Sequence, residues 1–185
     1  MTVAYAAVLG MLVRGHALDK TLSGKLMGLV KTGKLPFHAV TFADLQPPHP
    51  GDPDSPRAGR FASPDALLTP SYMAQAAADT DIRIEPAWKV SIVYGMPCAI
   101  YHQLPAAYYL AARFQDDFES AVLHAVNGGG QNQARAILTG ALVGAQTGFS
   151  GIPQRFLDGL ADLDTLKSLA IAIASQVDST ADTID

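Results

Sequence analysis

The sequence predicts an all-α fold, a compact multi-helix domain. Three observations carry that expectation. Apolar residues recur at helical spacing in one segment after another. No run shows sustained strand alternation. The composition is 49% apolar and only 16% charged, enough for a large core and for helices buried on more than one side. A length of 185 residues suits one domain.

The elements follow in order. Residues 3–14 are helical and apolar nearly all round. Residues 18–32 place Leu18, Leu22, Leu26, Leu29 and Val30 on one stripe, an amphipathic helix that Gly33 can stop. The stretch "LPFHAVTFADLQPPHPGDPDSPRAGRFASP" holds seven of the twelve prolines and has no period, so a Pro-rich loop is expected at about 35–62. Ser63-Pro64-Asp65 reads as a helix start, with proline at the first helical position, and the helix runs to about Ala78. Residues 86–113 are the apolar heart, where Pro97 and Pro105 are expected to break or kink the chain. Phe114 to Val126 forms the next helix, and residues 131–148 another, rich in alanine and glycine. Residues 153–160 and 162–178 are the last helices. The domain is expected to span 1–178, with a flexible tail at 179–185.

Bulk properties exclude several functions. Net charge is −4 and no Lys/Arg cluster occurs, so there is no footprint for nucleic acid. Cys98 is the single cysteine, which excludes a disulfide framework and fits a reducing, cytoplasmic setting. The opening "MTVAYAAVLGMLVRG" is too short to span a bilayer and lacks the early positive charge of a signal peptide, so no membrane partner is expected.

Few residues suggest chemistry by themselves. His16, His38, His49, His102 and His124 include no pair at i+3 or i+4, so each reads as a surface or core residue. Asp116, Asp117 and Glu119 read as the acidic start of a helix. Asp79 with Asp81, and Asp182 with Asp185, resemble carboxylate pairs for a divalent ion but fit solvated loop acids better. Tyr101, Tyr108 and Tyr109 fall on helical spacing and read as core. The turn "NGGGQNQ" joins two helices. Bare glycine N–H groups before a helix can meet an anion. The spacing matches neither a Walker loop nor a dinucleotide fingerprint, and alone it reads first as a connector.

In company the turn reads differently. The stretch "DDFESAVLHAVNGGGQNQARAILTGALVGAQTGFSGIPQRFLDGL", residues 116–160, resembles the C-terminal signature of the ADP-ribosylglycohydrolase family. That signature runs from an acidic-Phe-Glu helix through A-V-N-x-G-G-D-x-D-S/T and a small-residue helix to I-P. Upstream, Gly95, Ala99, Leu104, Pro105, Ala106 and Tyr108 are similar to another family helix. The likeness is strongest over about 92–160.

The resemblance implies one all-α domain, of which this chain would be the C-terminal half or a naturally short form, with a two-magnesium cleft that hydrolyses bonds between ADP-ribose and a protein. It implies ADP-ribose or an ADP-ribosylated protein as partner, besides an N-terminal half of the same domain. It places substrate contacts at Asn127, Gly128, Gly129, Gly130, Gly95 and Cys98. The family's aspartate ligands fall on Gln131 and Gln133, and its hydroxyl on Ala134. Magnesium relies on carboxylate charge. A glutamine keeps the oxygen dipole and loses the charge, at a cost on the order of several kcal/mol per contact before hydration is subtracted. Magnesium is therefore expected to bind weakly or not at all. The expectation is an ADP-ribosylglycohydrolase-like protein with a degenerate dimetal site. The alternative is an inactive ADP-ribose-binding or structural, crystallin-like relative.

Overall fold

The computed structural model describes residues 1–35, 65–94 and 96–181. From residue 36 on, the expected Pro-rich loop lies outside them, as do His38, His49, Gly95, Asp182 and Asp185. Among the described residues all regular structure is helical. The order is α1 (Thr2–Val13), α2 (Leu22–Lys31), α3 (Asp65–Ala78), a short turn of 3₁₀ helix (Ala87–Lys89), α4 (Val90–Tyr94), α5 (Ile100–Arg113), α6 (Phe118–Asn127), α7 (Asn132–Thr147), α8 (Gln154–Asp158) and α9 (Leu163–Ala181). No described helix is long and apolar enough to cross a membrane. Contacts cluster into two compact units, Met1–Gly151 and Ile152–Asp185.

The first unit is built around α5. Leu104, Ala107, Tyr108 and Ala111 face a core shared with Ala4, Val8 and Leu12 of α1, Leu22 and Leu26 of α2, Leu67, Ala121, Leu142 and Val143. Ala106, Tyr109 and Leu110 face a second core with Ala77, Ala87, Val90 and Ala125. A helix with apolar residues on both flanks must be covered on both, and α3 and α7 do this for α5. Its small residues let the neighbours approach. The joint between α2 and α3 is polar: Ser23 N donates to Ser71 Oγ (2.9 Å), and Ser71 Oγ donates to the Asp19 carbonyl (2.7 Å). Tyr5 Oη ties α1 to α7 by donating to the Leu138 carbonyl (3.1 Å).

Three expectations about the helices change. The helix expected from Phe114 begins only at Phe118, with Asp117 as its cap. Residues 18–21 are not helical, because Asp19 Oδ1 takes Thr21 N and Oγ1 at 2.7 Å each, a local alternative to the helical ladder. Pro105 does not interrupt α5. It sits in the second turn, buried in the core, and packing there holds the helix together despite the missing N–H. Among the described residues, 96–99 are not helical, where Pro97 disfavours helical geometry for the residue before it.

Asp117 caps α6, accepting from Ser120 N (2.9 Å) and Ser120 Oγ (2.6 Å). Those hydrogen bonds hold its carboxyl below the usual aspartate range. Asp117→Ala is expected to cost about 1 kcal/mol in a urea melt. Because the folded pKa is depressed, the cap's contribution is complete above the unfolded value of about 4 and disappears as pH falls through the folded one. The difference between variant and parent should therefore shrink in melts below that pH.

The second unit holds α8 and α9. Gln154 Nε2 donates to Asp158 Oδ1 (2.7 Å) across α8. Helix α9 runs on to Ala181, into the expected tail.

Candidate functional site

Helix α6 ends at Asn127 and α7 begins at Asn132, with Gly128–Gly130 and Gln131 between them. Gly129 (φ +70°) and Gly130 (φ +60°) take the left-handed conformation that side chains disfavour. Space makes two of the glycines obligatory as well. A Cβ on buried Gly128 would lie 2.6 Å from Ser91 Oγ, and one on Gly130 would collide with Met96 Cβ and lie 2.7 Å from the Met96 carbonyl oxygen. Gly129 has room, with Met96 Cε 4.0 Å away.

The turn is fastened from two sides. On one, Ser91 Oγ donates to the Gly128 carbonyl (2.6 Å) and Gln131 N donates to the Met96 carbonyl (3.1 Å). Gln103 Nε2 in turn holds the Pro97 carbonyl (2.6 Å). The backbone at 96–98 and the glycine turn are therefore neighbours. On the other side lies Arg135, with 0% of its surface exposed. Its Nε donates to the Ala125 carbonyl (3.1 Å) and its Nη2 to the Gly129 carbonyl (2.5 Å). Its Nη1 and the Thr139 hydroxyl one turn further on are buried with no hydrogen-bond partner among the described residues. Burial pulls the guanidinium pKa down, though arginine remains a cation at any pH a protein tolerates. Its counterweight is the negative end of α6. The ion pairs among the described residues, Arg83–Glu85 and Arg113–Glu85, leave it without a carboxylate.

The residues expected from the sequence fall as follows. Asn127, Gly129, Gly130, Gln131 and Gln133 are exposed along the turn, and Gly128 lies beneath it. Cys98 is a free, exposed thiol on the neighbouring segment. Gly95 lies outside the described residues. Met96, Ile100, Tyr101 and Val126 add exposed apolar surface from the elements that meet here. Tyr108 and Tyr109 are core residues, but Tyr101 is 61% exposed, since it stands in the first turn of α5 above the packed layer. The described histidines serve structure. His102 Nδ1 lies 2.5 Å from the Tyr94 carbonyl, His124 stacks on Phe114, and His16 meets Lys25 Nζ at 3.3 Å. Asp79 and Asp81 close a local turn, with Asp79 accepting from Asp81 N (2.9 Å).

The donors at the turn do not suit a magnesium ion. Gln131 and Gln133 offer neutral amides, Ala134 offers no oxygen, and a guanidinium lies behind the turn. Among the described residues no three His, Cys, Asp or Glu side chains come together as metal ligands. The turn offers something else. Helix α7 has 16 residues, Gln131 makes no side-chain cap, and its first turn holds no acid. Its leading N–H groups have no acceptor within the helix, and the first, Asn132 N, donates to the Gly130 carbonyl (2.8 Å).

Arg135 and Ser91 were not legible as site residues in the sequence. For Arg135 one signal existed: it is the single charged residue of a helix rich in alanine, glycine and aliphatic residues. A polar cleft of about 460 Å³ opens at the far end of α7, lined in part by His16, Asp116, Gln146 and Thr147. No residue of the glycine turn reaches it.

Comparison with known proteins adds the following. A family model described as ADP-ribosylglycohydrolase matches residues 1–182, well beyond the 92–160 stretch on both sides. A protein of Archaeoglobus fulgidus, described as an uncharacterized protein, is 46% identical over 54 residues, which are 29% of this chain and 17% of that protein. No solved structure matches the chain significantly.

Proposed function

The chain belongs to the ADP-ribosylglycohydrolase family, and we propose from that membership that it is a hydrolase-like protein whose glycine turn forms part of an ADP-ribose cleft with a degenerate dimetal site. One observation carries the reading. The turn keeps a tightly specified backbone, with two left-handed glycines and one buried one, while the side chains facing solvent are amides.

In this reading Gly129 and Gly130 let a ligand approach the backbone closely. The amides of Gln131 and Gln133 hydrogen-bond ribose hydroxyls. Met96 and Tyr101 offer apolar surface to the base, beside Cys98. An amide is neither a proton acceptor of useful strength nor a carboxylate ligand, so these positions hold a ligand without activating water. Binding of ADP-ribose is favoured over hydrolysis for that reason.

Calorimetry with ADP-ribose, with magnesium and with chelator, tests this. The expected result is binding that chelator does not abolish, slower labelling of Cys98 by a thiol reagent when ADP-ribose is present, and no release of ADP-ribose from a modified protein. Tight binding that requires magnesium would overturn the degenerate site. Release of ADP-ribose would show a working hydrolase, and no binding at all would leave a structural role.

A further inference from the structure

We propose that the seam between α5 and α7, beneath the glycine turn, binds a buried water molecule held by Arg135 Nη1, Gln103 Oε1 and the Thr139 hydroxyl. Placement is the first ground. At one end Gln131 N donates to the Met96 carbonyl, and at the other Gln146 Nε2 donates to the Ala111 carbonyl (3.1 Å). The two helices therefore run side by side in the same direction, with 131 level with 96 and 146 level with 111. On that register Thr139 stands level with Leu104, next to Gln103, and Arg135 lies one turn nearer the glycines on the same face of α7. The Gln103 side chain reaches back to the Pro97 carbonyl, which carries its amide toward the level of Arg135.

Chemistry is the second ground. Gln103, Arg135 and Thr139 are each at most 1% exposed, and one polar atom of each has no hydrogen-bond partner among the described residues. Buried polar atoms are nearly always paired, with protein or with ordered water. Nη1 only donates, Oε1 only accepts, and the hydroxyl does either. This set does not suit an ion, because the guanidinium repels a cation and the amide oxygen opposes an anion. Water accepts from Nη1, donates to Oε1 and meets the hydroxyl in either sense, which gives the usual complement of about three hydrogen bonds for a buried water. Its role is to join two fastenings. Arg135 holds the Ala125 and Gly129 carbonyls, and Gln103 holds the segment that Gln131 N ties to the turn. The site is independent of what the turn binds on its exposed side.

A crystal structure of the full chain tests the site directly. The expected result is an ordered water within hydrogen-bond distance of all three atoms. In solution, oxygen-17 relaxation dispersion of the solvent counts long-lived internal waters. Thr139→Val keeps the shape and removes the hydroxyl, and its dispersion amplitude is expected to fall by about one water relative to the parent. Thr139→Ser keeps a hydroxyl at the same position and should keep the parent's amplitude. Circular dichroism checks that each variant is folded, and if Thr139→Val is not, the crystal structure of the parent decides. Density that shows Oε1 bonded directly to Nη1, with no water between them, overturns the proposal. A dispersion amplitude unchanged in folded Thr139→Val does so as well.

Discussion

Arg135→Ala is expected to lower the stability of the protein by about 3 kcal/mol, among the largest effects of any single polar substitution in it. Two hydrogen bonds to the carbonyls of Ala125 and Gly129 are lost. The Ala125 carbonyl is left buried and unpaired, at about 1–3 kcal/mol, and the partly buried Gly129 carbonyl costs less. The long side chain also fills space under the turn, and truncation leaves that space open. Against these stands the relief of no longer burying a charge, which is why the net loss stays below the simple sum. A urea melt should show a lower midpoint with an unchanged slope. Arg135→Lys separates charge from shape. A lysine keeps the cation but cannot reach both carbonyls in the planar fork that arginine uses, so it should recover only part of the loss. An unchanged midpoint in Arg135→Ala would mean that water satisfies both carbonyls and that the guanidinium does not hold the turn.

Gly130→Ala is the second large effect, expected at about 2–3 kcal/mol, together with loss of ligand binding. Two costs act at once. Left-handed backbone costs a residue with a Cβ about 1–2 kcal/mol, and the new methyl meets Met96 at both side chain and carbonyl. Relief of that collision moves the turn away from Met96 and breaks the bond from Gln131 N to the Met96 carbonyl. Gly129→Ala provides the control. Its φ of +70° imposes similar strain, yet its Cβ meets only Met96 Cε, at 4.0 Å, so it should cost about 1 kcal/mol and leave the turn in place. Paired melts and ADP-ribose titrations check both. If the two variants behave alike, close packing against Met96 is not what specifies Gly130.

The sequence made the fold legible where periodicity was strong. Leu22 and Leu26, the run from Ala106 to Ala111, and Leu142 with Val143 in α7 all mark buried helix, and all are buried. It was misleading where a local hydrogen bond or a packed neighbour outvoted a residue's usual habit. Asp19 stopped a stripe that looked helical from Leu18. Pro105 stayed within a helix because both its flanks are covered. Tyr101 shares the spacing of Tyr108 but stands at the helix's open end, and spacing alone does not say where a layer stops.

The candidate site was half legible. Composition at 127–133 marked the turn, and Gln131 and Gln133 are where the proposed change of chemistry rests. The proximity of 96–98 to the turn came only from resemblance, since a bond from Gln131 N to a carbonyl 35 positions earlier leaves no trace in residue type. Arg135 was overlooked for a similar reason. An arginine in a helix is usually solvated, and only the small residues around this one hinted at its depth.

That depth also governs how the turn can evolve. Position 135 cannot be exchanged without releasing at least one carbonyl, whereas Gln131 and Gln133 are exposed side chains. Substitutions at 131 and 133 are therefore close to neutral for folding, and a lineage can explore acids, amides or hydroxyls there while the backbone beneath stays fixed. Shape and chemistry in this loop are separately mutable, and selection can retune one without first rebuilding the other.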